Sequence, residues 1–509
     1  MASNNSIRRS FLAGLFLMGG FLGSLPVFAQ TPEYPVNIPQ NQVPDILQRL
    51  NELETEVAQF REQAQRLPSV PPGETEPFNA SLYVPAPAAA PTAPPTAKKP
   101  DPPKFPSVQI NGVFQAEAGA FTQDAANKAL TADPVVSDGN IQNGADFRRA
   151  RLSAKGAVTP NTNYFMQMDF AFFGRPTFTD VWVEQTDLPL FGNVRVGQWK
   201  QPFSLEVVSS FRYTTFMERS LLFQTFTPFR HMGIGFYDVN EAKTTTWAAS
   251  LIRTGQDQFG SSLSTDGGNG VVSRLTHVFG YDEACGGDEY LHTGFGYYLN
   301  AGPKDSVRFR TVPEIFIGEV AAASPLGTSR QPVPGPQNGT PFLVDTGVLA
   351  ASTVHTIDWE ALLVRGPLSV QTEMMGAFVN LNNGSTAFLN GAYVQTGYFL
   401  TGEHRPYDRK SGAIDRVKPK HDFIWHKDSQ LQGWGAWEVA GRWSYVDLNS
   451  GGVTGGVQND ATFGINWFMN PYTKTTFNYI HSWVDRPLAG LPAGKSELNV
   501  FAAMVQLDF

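Results

Sequence analysis

In the stretch "RRARLSAKGAV", Arg149, Arg151 and Lys155 share a parity, while Ala150, Leu152, Ala154 and Val158 take the alternate positions. Fixed cations on one face of an extended chain can hold and pass anions. Guanidinium forks suit oxyanions in particular, because they donate paired hydrogen bonds. The period of two predicts a strand with the charges on one side and plain hydrocarbon on the other. The same parity elsewhere gives Arg195, Arg274, Arg442 and Lys474. A link over 201–232 adds Arg212, Arg219 and Arg230, with Glu218 and His231 among them and Lys200 at its start. These cations are the candidate pore-lining and anion-binding residues. The charged face also carries Glu117, Asp169, Asp180, Glu184, Asp358, Glu360, Glu373 and Glu438. Two outcomes stay open: an anion well, if the cations gather at one level, or a transverse field across a general pore. Parity gives facing and not height.

Covalent chemistry finds no support. The sequence has no Walker-type loop, no paired-cysteine motif and no HExxH pattern. Its single cysteine, Cys285, lies in a Gly-rich turn and has no partner for a disulfide. The histidines are scattered without metal spacing, and His421, Asp422 and His426 read as a solvated loop. No enzyme, cofactor or metal site is expected. A net charge of −8 and the absence of Lys/Arg blocks argue against nucleic-acid binding.

The elements that must carry these charges are short alternating segments of about ten residues, separated by Gly, Pro, Asn and Asp. In 108–120, Val108, Ile110, Phe114 and Ala116 oppose Gln109, Asn111, Gln115 and Glu117. In 163–172, Tyr164, Met166, Met168, Phe170 and Phe172 oppose Gln167 and Asp169. In 462–468, Phe463, Ile465 and Trp467 oppose Thr462, Gly464 and Asn466. A water-soluble sandwich also alternates, but its apolar faces meet in a core. Here the opposite face is charged in segment after segment, and aromatics sit near the segment ends. That fits a sheet with lipid outside and water inside, closed so that no backbone group is left unpaired in hydrocarbon. The charged fraction, 17%, is low against a typical ~25%, and beyond the N-terminus no run of about 18 apolar residues exists. The predicted class is all-β: a transmembrane antiparallel β-barrel of about sixteen strands, preceded by a short α-helical coiled coil and a Pro/Ala-rich linker. Strands are expected near 108–121, 147–158, 163–172, 178–186, 193–200, 233–240, 244–253, 271–279, 290–299, 354–363, 368–379, 390–400, 436–447, 460–468, 473–483 and 498–509. Long links fall at alternate positions, including 122–146, 201–232, 300–353 and 484–497. The link 401–435 is long where a short turn belongs; it is either an exception or a missed pair of strands.

Residues 1–29 read as an export signal, with Arg8 and Arg9 before an apolar run and a small-residue cleavage site at Val27-Phe28-Ala29. "RRSFL" resembles a twin-arginine signal, but a membrane barrel travels unfolded, so an ordinary basic n-region is the reading taken. Residues 30–67 are expected in the periplasm. Within them, Val43, Ile46, Leu50, Leu53, Val57, Phe60, Ala64 and Leu67 alternate spacings of three and four, a heptad seam that fits a self-associating coil over 43–67 or one amphipathic helix. Residues 68–106 form a Pro/Ala-rich spacer, and 107–509 the barrel. The chain ends in "NVFAAMVQLDF", where Phe501, Ala503, Val505, Leu507 and Phe509 alternate. A terminal aromatic closing such a strand resembles the signal read by the outer-membrane assembly machinery.

The phrases "DFRRARLSAKG", "VRVGQWKQPFSLE", "RYTTFMERSL", "GAYVQTGYFLTGEHRPY", "GAWEVAGRWSYVDL" and "GINWFMNPYTKTTFNYIH" resemble the phosphate-selective porin O and P family, over roughly residues 105–509 and in the expected order. The resemblance implies a sixteen-stranded homotrimeric channel among outer-membrane lipids. It also implies small anions, sometimes phosphate, as permeants, and an inward-folded third long link that narrows the pore. The function expected is passive diffusion of small hydrophilic solutes. The alternative is a general porin that also tethers the outer membrane to the cell wall through its N-terminal coil.

Overall fold

The computed structural model describes residues 104–132, 138–171, 176–254, 268–301, 306–317, 340–424, 433–487 and 495–509. The export signal, the 43–67 coil and most of the Pro/Ala-rich spacer lie outside the described residues. Sixteen long strands follow in order: β1 (Gln109–Gln123), β2 (Gly144–Thr159), β3 (Thr162–Asp169), β4 (Thr177–Leu188), β5 (Gly192–Lys200), β6 (Arg230–Val239), β7 (Thr245–Arg253) and β8 (Asn269–Phe279). They continue with β9 (Glu289–Ala301), β10 (Leu349–Arg365), β11 (Leu368–Leu381), β12 (Thr386–Phe399), β13 (Ala436–Ser450), β14 (Val453–Asn470), β15 (Thr473–Asp485) and β16 (Lys495–Asp508). Each overlaps a segment expected from the alternation.

Every strand pairs antiparallel with its sequence neighbours, and the sheet closes where β1 meets β16, from Val113 opposite Asp508 to Gln123 opposite Leu498. Closure satisfies the ladder all round, which a span through hydrocarbon requires. The burial pattern is the reverse of a water-soluble protein. Leu275, Phe295, Trp359, Phe463 and Phe501 stand exposed on the outer face, while Gln115, Asp358, Glu438, Asp460 and Thr476 are buried inside. So extensive an exposed apolar surface needs lipid against it. The strands of 8 to 18 residues reach or exceed the ~9–11 that a tilted span needs in all but the shortest. Near one rim the Trp437 and Trp467 rings stack at 5.2 Å, and both indole N–H groups donate to the Trp434 carbonyl. Such amphipathic rings suit the boundary between acyl chains and water.

Phe509 extends β16 by one backbone pair. Its N–H donates to Gly112 O and its carbonyl accepts from Gly112 N. The terminal ring lies across Gly112, where a Cβ would come within 2.3 Å of the ring.

The links after β2, β4, β6, β8, β10 and β14 run two to nine residues and share one end of the barrel, while the other end mixes the long links with short turns at 382–385 and 451–452. The link between β12 and β13 belongs to the first of these ends and is the exception foreseen, not a missed strand pair. Its described part turns back into the lumen and carries a small ladder, Tyr407–Asp408 against Ala413–Ile414, and a lone bridge between Ile424 and Gly433. From the other end the link between β5 and β6 folds inward, burying Phe203, Leu205, Val207, Phe216, Leu221 and Leu222. Parts of the link between β9 and β10 follow it, with Ile315 and Leu343 buried. Arg230 and His231, expected in the third link, are the first residues of β6, because the pairing Lys200 with Arg230 extends the ladder that far.

Candidate pore constriction

The inward link, 201–229, is a chain of short turns: Leu205–Val208 and Leu221–Phe226 are helical and Phe211–Tyr213 is a 3-10 turn. Ser204 caps Leu205–Val208 by accepting from Val207 N, and Ser210 caps Phe211–Tyr213 by accepting from Arg212 N. Too short to be stable alone, these turns hold their course through contacts with the wall. Glu206 N donates to Glu373 on β11 at 3.0 Å, and Thr214 O accepts from Lys474 Nζ on β15 at 2.9 Å. Asn466 Nδ2 on β14 donates to Thr215 O. Glu218 accepts from Arg148 Nε on β2 at 2.5 Å, and Arg442 Nη2 on β13 donates to Glu218 O. The link therefore reaches across the lumen to both the β10–β12 side and the β13–β16 side.

Apart from Lys155, the predicted cations divide into two groups. Most are neutralised in place. Arg151 pairs with Asp169 at 2.6 Å, Arg195 with Glu184, Arg230 with Asp180 at 2.7 Å, Arg274 with Glu360, and Arg442 with Glu314. Arg149 bonds Gln115 and lies 3.6 Å from Glu218, and Arg212 lies 3.4 Å from Asp508. Arg149, Arg151 and Arg212 all pack on the Phe211 ring at 4.5 to 5.3 Å. The second group meets backbone carbonyls instead. Lys200 Nζ donates to Val208 O and Ser209 O at 2.8 and 2.9 Å; Arg219 donates to Glu206 O and, through Nη2, to Ser209 O at 3.1 Å. Lys474 holds Thr214 O. Lys155 is exposed at the barrel end, apart from the constriction.

Burial pushes the Arg219 guanidinium down to about 10, so it stays charged at neutral pH. Burial also raises the Glu206 carboxyl, which accepts from Ser220 N–H and O–H. For Glu218 burial acts upward too, but the charges of Arg148 and Arg149 outweigh it and hold the carboxyl below its ordinary 4.5.

Four residues escaped sequence reasoning. Arg148 directly precedes the alternating run that starts at Arg149 and was not among the expected cations. A bulge opposite Gln115 and Ala116 breaks that alternation, so both side chains reach Glu218. Arg405, from the exceptional link, is buried against Glu438, Thr215 and Tyr213 O. Arg416, from the same link, pairs with Asp508. Glu314, from the link between β9 and β10, accepts from Arg442, Ser444 and Thr462. The only hint in the sequence was the misplaced length of 401–435. The acids Asp358, Glu360 and Glu373 were placed in the lumen by parity; the strand register gathers carboxylate oxygens of all three within 4.8 Å of one another. Cys285 is exposed.

Chemically the lumen sets buried charged and polar side chains around an inward-folded link, an arrangement that can act on ions in transit. The family model described as "Phosphate-selective porin O and P" matches residues 131–509. Porin O of Pseudomonas aeruginosa is 22% identical over 375 residues, covering 69% of this chain and 79% of that protein. An uncharacterised protein of Caulobacter vibrioides is 25% identical over 504 residues, 93% of each chain. Among solved structures, the anion-selective porin from Comamonas acidovorans superposes with a TM-score of 0.46 at 12% identity, covering 79% of this chain and 99% of that one. A match over so much of the barrel places the chain in the phosphate-selective porin O and P family, as an outer-membrane channel and not an enzyme.

Proposed function

We propose that this channel passes small anions, phosphate among them, and that Lys200 and Arg219 set the preference. The observation that carries this reading is their convergence on the Ser209 carbonyl with no carboxylate in ion-pair contact with either, among the described residues. The acids whose charges reach them are engaged elsewhere: Asp180 by Arg230, Glu206 by Ser220 and Arg442, and Glu218 by Arg148. Two like charges at one carbonyl repel, and an anion passing between them relieves that repulsion. Lys474, bonded to Thr214 O on the same link, adds to the field. The neutralised group, Arg149, Arg151, Arg195, Arg212, Arg230, Arg274 and Arg442, shapes the wall and orients the link. These paired charges favour a second reading, a general porin with a transverse field.

In this proposal the channel is a homotrimer in outer-membrane lipid, delivered by the assembly machinery through Phe509. Residues 1–29 are removed on export, and the 43–67 coil stands in the periplasm on its Pro/Ala-rich spacer, where it strengthens trimer contact or tethers the envelope layers. Phosphate block of chloride current through single channels in a planar bilayer tests the proposal. A dose-dependent block supports a phosphate-binding constriction, and unblocked current supports the general porin. Deleting 30–106 and scoring envelope cohesion against solute uptake tests the tether.

A further inference from the structure

Asp358 and Glu360 are two residues apart on β10, so both face the lumen, and Glu360 lies directly opposite Glu373 of β11. Like charges in direct cross-strand register are unfavourable, and here three carboxylates are buried completely. Only part of their charge is answered. Arg274 Nε donates to Glu360 Oε1 at 2.9 Å, and His292 Nε2 meets the same oxygen at 3.0 Å while its Nδ1 meets the Tyr407 hydroxyl. Glu373 Oε1 accepts from Tyr393 O–H and Glu206 N–H. Asp358 is fully buried and neither of its oxygens has a hydrogen-bond partner; Glu360 Oε2 and Glu373 Oε2 have none either. If all three were ionised, one guanidinium would leave two negative charges unanswered in a place where an unpaired ion is costly.

Beside them on the adjacent strand, β9 presents Gly296 opposite Asp358 and Gly294 opposite Glu360. A Cβ on Gly294 would stand 2.2 Å from Glu360 Oε1, and one on Gly296 would stand 2.4 Å from Phe203 O and 3.2 Å from Asp358 Cβ. The missing side chains leave room for the acids and bring a backbone carbonyl of the constriction link beside them.

We infer that Asp358, Glu360 and Glu373 bind one divalent cation of the calcium or magnesium class. The donors are all hard oxygens, which select such ions over zinc or copper. Oxygens facing each other across a calcium ion stand about 4.8 Å apart, twice a Ca–O distance of roughly 2.4 Å, and the carboxylate atoms span no more than 4.8 Å. Because Glu373 also holds Glu206 N–H, the ion fastens the constriction link to the wall at β10 and β11.

Calcium binding to the full-length, chelator-stripped protein in detergent, followed by calorimetry with magnesium as a second titrant, tests this. The double variant D358N/E373Q gives the background from bound lipid. The expected result is one saturable site per chain with a dissociation constant of about 1 mM or tighter, weakened at least about tenfold in D358N and in E373Q. Calcium should also raise the melting temperature of the wild type and not that of D358N. No saturable binding above the double-variant background would overturn the site. So would equal binding by wild type and both single variants. Variants that melt higher than the wild type without any metal response would assign the carboxylates to a shared proton instead.

Discussion

Lys200 on β5 and Arg219 on the inward link point at the same acceptor, the Ser209 carbonyl, at 2.9 and 3.1 Å. One cation comes from the wall and the other from the link, so the pair exists only when the link is folded into the lumen. Under the proposed function, selectivity and the docking of the link are therefore one property.

Arg148 and Glu218 are the test of docking. Glu218→Gln keeps the volume and removes the charge that both Arg148 and Arg149 meet. We expect noisier single-channel current and a shifted conductance with the barrel intact by heat-modified gel mobility. The same contact gives a pH dependence. Glu218 is held below its ordinary 4.5, so its contribution is full above that value and is lost as the pH falls through the lowered one. The Glu218 contribution to conductance should be lost only on acidification below its ordinary 4.5; in the E218Q variant that acid transition should vanish.

Arg405 tests the exceptional link. It is buried and meets Glu438, which is itself fully buried. Arg405→Ala leaves an unpaired buried carboxylate, a change that costs about 3–5 kcal/mol. The expected outcome is a lower melting temperature in detergent, recovered in part by R405A/E438Q.

The outer face tests the lipid assignment. Leu275 and Phe463 are exposed in mid-strand. Arginine at either should cost about 2–4 kcal/mol near the bilayer midplane, measured by unfolding in lipid vesicles. Arginine at exposed Lys155, on the lumen parity near the barrel end, should cost little.

Gly112 tests chain closure. A side chain there would overlap the Phe509 ring. Gly112→Leu should lower the yield of folded barrel in the outer membrane, and deletion of Phe509 in the same background should add little.

Much of this was legible in the sequence because a barrel strand writes its environment at a period of two. Phe463, Ile465 and Trp467 against Thr462, Gly464 and Asn466 already state which side meets lipid. Three things were not legible, for separate reasons. The bulge that turns Arg148 inward has no composition of its own, only a break in register. Pairing of Arg274 with Glu360, or Arg442 with Glu314, depends on height in the barrel and on links that fold back, and parity carries neither. Arg405 and Arg416 sat in a segment whose length looked misplaced, and only its return into the lumen explains the length.

The reversal potential in a salt gradient across a planar bilayer tests the central claim most directly, with wild type beside K200Q/R219Q. The account predicts an anion-selective potential for the wild type and a shift of several-fold in permeability ratio toward cations in the variant, from the loss of the two charges at the Ser209 carbonyl. A potential identical in the two proteins, with the variant folded and conducting, would contradict it.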